Sequence, residues 1–175
     1  YTTLFRSEPR MTPATTRAFD IRHELRPGDL GMVIHLHGVH YARDYGLDTT
    51  FEPYVAKPLA DFVLSGTGRL WIAEEDGRIV GSIAVVDANN DVGQLRWFLL
   101  APEARGAGLG RRLLETALAY CRSRDMQRVF LWSFAQLDDA LKLYERAGFR
   151  VTETSKAFLW GAERTEVRMD LELTR

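Results

Sequence analysis

Cysteine and long apolar runs are scarce in this sequence of 175 residues. The single cysteine, Cys121, excludes a disulfide scaffold and a zinc ribbon, and it favours a reducing, intracellular setting. No run approaches the roughly 18 apolar residues of a membrane span, and the N-terminus lacks the pattern of a signal peptide. We therefore expect a cytoplasmic protein with no membrane partner.

An excess of charge of either sign is also missing. The 23 basic and 24 acidic residues nearly cancel, so no global field attracts nucleic acid, and we expect no direct nucleic-acid binding. The 46% hydrophobic content suits one domain with a sizeable core. Because the sequence starts at Tyr1 without a methionine, we interpret residues 1–17 as an N-terminal extension or upstream remnant, and residues 18–175 as a single domain.

Hydrophobic periodicity predicts alternating strands and helices along the whole chain. The predicted strands are residues 18–25, 69–75, 78–88, 92–100, 128–134, 149–154 and 166–173. The predicted helices run from Asp29 to near Gly46, from Phe51 to Leu64 and onward from Gly108, and a last short helix carries Leu137, Ala140, Leu141 and Tyr144. Asp76-Gly77 is typical of a hairpin turn, and Gly46 and Gly148 stand where helices are expected to end.

The segment "APEARGAGLGRRLL", residues 101–114, has three glycines in five positions between a predicted strand and a predicted helix. One residue at positive φ is usually enough for a turn, so the extra glycines indicate a close approach to the backbone. Free N–H groups at a helix start favour an anion such as a diphosphate. The glycine spacing argues against a Rossmann fingerprint, and Arg111 and Arg112 stand where a Walker loop needs a lysine and a hydroxyl. A glycine-rich turn that only packs the helix is the alternative.

Within this segment, Arg105, Gly106, Ala107, Gly108, Leu109 and Gly110 resemble the pyrophosphate loop of the GNAT superfamily of acetyl-CoA-dependent N-acetyltransferases. A second segment, "LYERAGF" at residues 143–149, is similar to the last helix of that family. The segments "GDLGMVIHLHGVHYARDYGLD" and "QLRWFLLAP" look like the acetyltransferase half of MarR-type regulator fusions. The resemblance spans about residues 19–173. It implies an α/β (α+β) fold with a mixed, mostly antiparallel sheet of six to seven strands, flanked by about four helices.

The resemblance also implies acetyl-CoA as the cofactor and a set of residues that bind it. In the family, the third strand of the meander bulges away from its parallel neighbour and frees backbone groups for the pantetheine arm. The expected cofactor-binding residues are therefore Phe98, Leu99, Leu100, Arg105, Gly106, Ala107, Gly108, Leu109, Gly110 and Arg111. One of the strand N–H groups is expected to polarise the thioester carbonyl.

Tyr144 matches the family tyrosine that assists departure of the thiolate, so it is the expected catalytic residue, with plain helix packing as the alternative. The family often has an asparagine where this sequence has Leu137, which removes one expected contact to pantetheine. It often has a glutamate base where this sequence has Gln94, which can only orient water.

The first predicted helix concentrates side chains that suit an acceptor pocket. The expected substrate-binding residues are His40, Tyr41, Tyr45 and Gln94. A histidine base, a solvated helix face and a zinc site at His37, His40 and Asp44 are alternatives, and no metal is expected. We expect the pocket to lie between residues 37–45 and a late loop at residues 155–164. Further contributions are expected there from Phe158, Trp160, Asp44, Asp48 and Glu52.

These features predict an N-acetyltransferase that moves an acetyl group from acetyl-CoA to a primary amine of a small molecule or protein by direct attack. The acceptor can be a lysine, an N-terminus or a small amine, and the assembly can be a homodimer. The alternative is a non-catalytic acyl-CoA-binding sensor module of a MarR-type transcriptional regulator.

Overall fold

The computed structural model describes residues 17–89 and 91–173. In this part of the chain the elements are β1 (Asp20–Arg22), α1 (Asp29–Tyr45), α2 (Phe51–Ser65), β2 (Gly68–Glu75), β3 (Arg78–Asn89), β4 (Val92–Leu100), a 3₁₀ turn (Pro102–Ala104), α3 (Leu109–Ser123), β5 (Arg128–Phe134), α4 (Asp138–Arg146), β6 (Arg150–Leu159) and β7 (Ala162–Glu172). Except for Arg17, the predicted N-terminal extension lies outside the described residues. No helix in the described ranges is long and apolar enough to cross a membrane.

The strands form one seven-stranded sheet in the order β1-β2-β3-β4-β5-β7-β6. Neighbouring strands are antiparallel except β4 and β5, which are parallel because α3 carries the chain across one face of the sheet. The structure therefore confirms the expected α/β fold with a mixed, mostly antiparallel sheet.

Glycines end two of the helices as the sequence predicts. Gly46 adopts a left-handed conformation with φ 66° after α1 and donates its N–H to the Ala42 carbonyl at 2.9 Å. After α4, Gly148 has φ 103°, and the Phe149 N–H donates back to the Tyr144 carbonyl. The buried Phe149 ring then anchors the start of β6 against the core.

Residues 155–164 are not the late loop that the sequence predicts. They continue β6 and β7 as a hairpin that turns at Trp160-Gly161, where φ is 49° and 91°. A large aromatic residue rarely adopts positive φ, so the sequence carries no ordinary turn signal at this point. β1 is likewise shorter than predicted, because its pairing with β2 ends at Arg22.

Two apolar layers enclose the sheet. One layer packs α3 and α4 on the first face, with Leu113, Leu131 and Phe149 at its centre. The other packs α1 and α2 on the opposite face, with Val33 and Leu59 buried within it. The helices thus cover both faces of the sheet. The opening in the structure lies within the sheet, between β4 and β5.

β4 and β5 separate after three residue pairs, the last being Gln94 with Phe130. The cause is a bulge in β4, where the register passes from Ala84 opposite Arg96 to Ser82 opposite Leu99. Trp97 occupies the bulge with φ 47°, and its carbonyl accepts a hydrogen bond from the Ser82 hydroxyl at 2.7 Å. A bulged strand bends and twists more strongly, so β4 diverges from β5 as the family resemblance implies.

A buried ion cluster fixes the start of α1 against the edge of the sheet. Asp29 is 3% exposed and accepts hydrogen bonds from the Arg22 guanidinium at 2.7 and 2.9 Å and from the Arg26 N–H at 2.6 Å. Arg22 also reaches the Glu74 carboxylate at 2.7 Å. The hydrogen bonds from Arg22 are the main reason why the pKa of Asp29 lies below its usual value.

We expect Asp29→Ala to lower the free energy of unfolding by about 3 kcal/mol, because it leaves a buried guanidinium without one of its two carboxylates. Asp61→Ala is the matched control, since the Asp61 pair with Lys57 is exposed, and we expect it to leave the free energy of unfolding nearly unchanged. Urea denaturation followed by circular dichroism measures both values. Equal losses in the two variants would contradict the importance of the buried cluster.

Candidate active site

A cavity of about 600 Å³ extends from the start of α3, through the gap between β4 and β5, to the space beneath α1 and α2. It is lined by all of the expected catalytic, cofactor-binding and substrate-binding residues except Ala107 and Leu109. Leu109 is 1% exposed and belongs to the core. One cavity therefore brings together the residues that were expected to bind a cofactor and those expected to bind an acceptor.

The glycines of the loop are required for two different reasons. Gly106 and Gly108 have φ 77° and 79°, and a Cβ atom at either position would meet nothing within 4 Å. These two residues supply backbone conformations that other residues rarely adopt. A Cβ atom at Gly110 would lie 3.2 Å from Cδ1 of Leu100, so Gly110 permits α3 to approach β4 closely.

The start of α3 presents free backbone donors to the cavity. Gly108 is its N-cap and no side chain caps the helix, while the first helical hydrogen bond runs from the Arg112 N–H to the Gly108 carbonyl at 3.1 Å. The N–H groups of residues 109–111 therefore have no helical acceptor, and together with the helix dipole they favour an anion. The geometry fits a diphosphate.

The arginines beside this loop are engaged by the protein. Arg105 donates from Nε to the Leu100 carbonyl at 3.2 Å, and its Nη2 lies 3.5 Å from a carboxylate oxygen of Asp44. Arg105 thereby ties the loop to β4 and α1. Arg111 is exposed and pairs with Glu115.

In the gap, the strand register decides which backbone groups are free. The Ala101 N–H donates to the Val80 carbonyl at 2.8 Å, so the alternation of an antiparallel ladder turns the N–H of Leu99 towards β3 as well. The N–H of Leu100 points to the opposite side, into the gap. Of the three backbone donors expected from the sequence, Leu99 is therefore corrected to a side-chain contact of the cavity.

Tyr144 lies on α4 where the gap meets the acceptor side of the cavity. The ring is 6% exposed and packs against Phe98 and Phe149, with ring centroids 6.0 and 5.8 Å away. Burial raises the pKa of its hydroxyl far above the usual value, which keeps the group protonated. Tyr41 lines the same cavity, and burial raises its pKa to about 12.

The two histidines of α1 that line the cavity are held neutral. Nδ1 of His37 lies 2.8 Å from the Val33 carbonyl, so this nitrogen donates and Nε2 is left as an acceptor. Burial lowers the pKa of His37 to about 4. Burial and the nearby Arg43 and Arg105 lower the pKa of His40, whose Nδ1 has no hydrogen-bond partner among the described residues. Nor do these residues include a cluster of three His, Cys, Asp or Glu suited to a metal ion.

Aromatic rings form the acceptor side of the cavity. Ring centroids are 4.9 Å apart for Tyr41 and Phe51, 4.8 Å for Tyr54 and Trp160, and 5.4 Å for Phe134 and Trp160. The hairpin turn carries the Trp160 side chain into this cluster.

Backbone contacts hold that turn against the connection between α1 and α2. The Trp160 carbonyl accepts the Asp48 N–H at 3.1 Å, and the buried Arg164 donates to the carbonyls of Leu159 and Tyr45 at 3.2 and 3.3 Å. Two expectations are corrected here. Phe158 is 76% exposed and points away from the cavity, and Asp48 and Glu52 do not line it.

Sequence reasoning missed several residues of the acceptor side, notably Arg96 on β4 and Glu166 on β7. Glu166 lies opposite Phe134 in the antiparallel register, so both side chains are on the face that carries the aromatic cluster. Alternation along a strand marks two faces but does not say which of them borders a cavity.

The profile of the family described as "Acetyltransferase (GNAT) family" matches residues 37–149. The chain belongs to the GNAT family of acetyltransferases. An uncharacterized N-acetyltransferase of Escherichia coli K12, YjgM, is 31% identical over 113 residues, which cover 61% of this chain and 68% of that protein. Mycothiol acetyltransferase of Cellulomonas flavigena is 33% identical over 91 residues, covering 46% of this chain but only 26% of the relative.

Solved GNAT structures share the fold. An acetyltransferase of the GNAT family from Staphylococcus aureus Mu50 has a TM-score of 0.75 at 18% identity and covers 90% of this chain and 100% of its own. Salmonella typhimurium yncA, solved with its cofactor acetyl-CoA, has a TM-score of 0.70 at 19% identity, with 90% and 95% covered. Spermidine N-acetyltransferase of Vibrio cholerae, in complex with CoA and spermine, has a TM-score of 0.69 at 20% identity, with 88% and 95% covered. The resemblance to MarR fusions stays a prediction.

The lowered pKa of His37 makes stability depend on pH. In the unfolded chain His37 takes up a proton near pH 6.5, whereas in the folded chain it does so only near pH 4. The neutral buried ring therefore contributes fully to stability above pH 6.5, and this contribution is lost as the pH falls towards 4. The free energy of unfolding of the wild type decreases between pH 7 and pH 4.5. We expect this decrease to be about 2 kcal/mol smaller in His37→Gln, which has no titrating ring at this position. Urea titrations at both pH values measure it, with exposed His23→Gln as the control. An unchanged pH dependence in His37→Gln would contradict a buried neutral histidine.

Proposed function

We propose that this GNAT domain transfers the acetyl group of acetyl-CoA to a primary amine of a small molecule or a protein by direct attack. The observation that carries the proposal is one continuous cavity. It joins the uncapped start of α3, the gap between β4 and β5, the Tyr144 ring and the aromatic acceptor side. The acetyl-CoA and CoA complexes of the Salmonella and Vibrio proteins support the choice of cofactor.

The residues of the cavity fit this cofactor. Acetyl-CoA, when bound, supplies the acetyl group as a reactive thioester. The free N–H groups of residues 109–111 hold the diphosphate, and the left-handed Gly106 and Gly108 leave the backbone bare for it. The N–H of Leu100 faces the gap and binds the extended pantetheine arm.

Tyr144 supplies a hydrogen-bond donor. Its buried hydroxyl stays protonated at neutral pH, so it donates a hydrogen bond to the sulfur of the leaving thiolate and keeps its own proton. The aromatic neighbours Phe98 and Phe149 fix the ring and limit access of water. Tyr144 thus both packs against its aromatic neighbours and directs its hydroxyl to the reaction.

Of the cavity groups that are able to accept a proton, Glu166 and His37 lie beside the aromatic cluster, because Glu166 is opposite Phe134 and His37 stacks on Tyr41. Glu166 provides a carboxylate, which also attracts the ammonium form of the acceptor. Nε2 of His37 is an acceptor, but the buried ring is neutral and weakly basic. We therefore assign deprotonation to Glu166, directly or through a water that Gln94 orients.

A charge placed at the loop tests the diphosphate site. Gly108→Asp is expected to weaken acetyl-CoA binding by about 100-fold or more, because a carboxylate then faces the diphosphate. Gly108→Asn is the matched control, since asparagine has nearly the same shape, tolerates positive φ and is uncharged. Isothermal titration calorimetry measures both affinities. Equal affinity in Gly108→Asp and Gly108→Asn would overturn the assignment.

Removal of one hydroxyl tests the role of Tyr144. Tyr144→Phe is expected to lower kcat by about 10- to 1,000-fold and to leave the Kd of acetyl-CoA within about threefold, because the ring still packs. Release of free CoA thiol measures the rate. Tyr120→Phe is the control, because Tyr120 lies near the C-terminal end of α3, packs against Trp71 and does not line the cavity. An unchanged kcat with a raised KM would make Tyr144 a binding residue only.

A panel of amines assayed for free CoA thiol, with mass spectrometry of the products, tests the function as a whole. Acetylation of at least one amine is the expected result. Tight binding of acetyl-CoA without acetylation of any amine would favour the acyl-CoA sensor instead.

A further inference from the structure

Among the arginines of the described residues that are at least partly buried, Arg96 differs in its lack of a polar partner. Four arginines in residues 17–89 and 91–173 are not fully exposed, namely Arg22, Arg96, Arg164 and Arg168. Arg22 pairs with two carboxylates, Arg168 pairs with Asp170, and Arg164 donates to two carbonyls. Within the same ranges, Arg96 has neither a hydrogen-bond acceptor nor an ion-pair partner.

The surroundings of Arg96 are aromatic. Its guanidinium carbon lies 4.7 Å from the centroid of the Trp97 ring, and Tyr54 is the nearby titratable group that favours its charge. Burial lowers its pKa from the usual value, and no carboxylate counteracts that effect. A partly desolvated guanidinium with unused donors is costly unless an anion arrives to pair with it.

Arg96 faces the acceptor side of the cavity. Gln94, two residues earlier on β4, lies opposite Phe130 in the parallel register, so Gln94, Arg96 and Phe134 share one face of the sheet. Arg96 itself precedes the bulge at Trp97, and the backbone of Leu100 at the gap follows four residues later. An acceptor that contacts Arg96 therefore extends along β4 towards the gap.

Arg96 is the cation that the sheet contributes to this side of the cavity, whereas Lys142 and Arg146 line the cavity from α4. Asp44 is occupied by Arg43 and Arg105. Glu166 lies on β7, with β5 between it and β4, and forms no ion pair with Arg96. Of the charged residues that line the cavity, the sheet thus supplies one cation, Arg96, and one carboxylate, Glu166, which are separated by a strand and lie near the aromatic rings.

We propose that Arg96 binds the carboxylate of the acceptor, and that the acceptor is a small zwitterionic amine of the amino-acid type with an apolar or aromatic skeleton. This inference rests on the proposed acetyl transfer and deepens it. A planar guanidinium pairs with a carboxylate through two parallel hydrogen bonds, which fixes the orientation of the molecule. The carboxylate lies at Arg96, the skeleton contacts the rings, and the amine points to the gap, near Glu166.

The test compares acceptors that differ only in the carboxylate. The wild-type protein is assayed with the common L-amino acids and β-alanine, with their carboxamides, and with 2-aminoethylphosphonate as the phosphonate analogue of β-alanine, and CoA thiol and acetylated product are measured. We expect kcat/KM to favour an acid over its own amide by about 100-fold, the usual effect of a desolvated charge pair. Arg96→Met keeps the apolar stem and is expected to abolish this ratio, whereas Arg96→Lys restores part of it.

Arg168→Met is the matched control, because Arg168 also stacks on a ring, that of Phe130 at 4.3 Å, but does not line the cavity. It is expected to leave the acid-to-amide ratio unchanged. The Kd of acetyl-CoA in each variant shows whether the fold and the cofactor site are intact.

Several results would overturn the proposal. These are equal use of acids and amides by the wild type, a ratio that survives in Arg96→Met, preference for the phosphonate, and acetylation of polyamines alone. Binding of the same compounds to the CoA complex, followed by calorimetry, separates this inference from the proposed function. Carboxylate-dependent binding without turnover would support the role of Arg96 and reject acetyl transfer. Acetyl transfer at equal rates to acids and amides would support the proposed function and reject the role of Arg96. No binding and no turnover with any amino acid would reject the inference.

Discussion

The bulge at Trp97 is the constraint on which the rest of the site depends. A residue with a bulky side chain at positive φ costs about 1–3 kcal/mol, so the surrounding structure must hold it there. The Ser82 hydroxyl bonds to the Trp97 carbonyl, and the Trp97 ring packs on Phe62 with centroids 5.4 Å apart. Because β4 bends at this residue, it parts from β5, and the only parallel pair of the described sheet becomes a cavity.

The divergence of β4 places unlike surroundings side by side. The α3 side of the gap ends in bare backbone N–H groups, which suit an anion, and the α1 side ends in packed aromatic rings, which suit an apolar or cationic group. Arg105 and Arg164 connect these parts through carbonyls of β4, β6 and α1. Arg105 and Arg164 therefore link neighbouring elements by hydrogen bonds and stabilise the geometry of the cavity.

The buried ion cluster at the start of α1 and two polar side chains of the cavity differ in their pairing. The cluster of Arg22, Asp29 and Glu74 is buried and fully paired, and it anchors α1 to the sheet. In the cavity, His40 keeps an unsatisfied nitrogen, and Arg96 keeps unused donors among the described residues. Native proteins tolerate such groups mainly where a ligand supplies the missing partner.

Local features of the sequence determined the helices, the hairpin at Asp76-Gly77, the helix ends at Gly46 and Gly148, and the glycine loop at the start of α3. Each of these depends on φ values and hydrogen bonds within a few residues, which a short segment specifies by itself. The position of Tyr144 beside the gap also followed from a motif, since the spacing of "LYERAGF" fixes the face of α4.

Only the tertiary structure decided which side chains meet across the sheet. Trp160 reaches the cavity because a rare turn conformation is held by contacts with residues distant in sequence, namely Asp48, which bonds to the Trp160 carbonyl, and Tyr45, whose carbonyl accepts from Arg164. The bulge and the strand register decide that Leu99 directs its N–H to β3 and that Arg96 faces the rings. A strand pattern has two equivalent faces, and partners from other strands and helices choose between them.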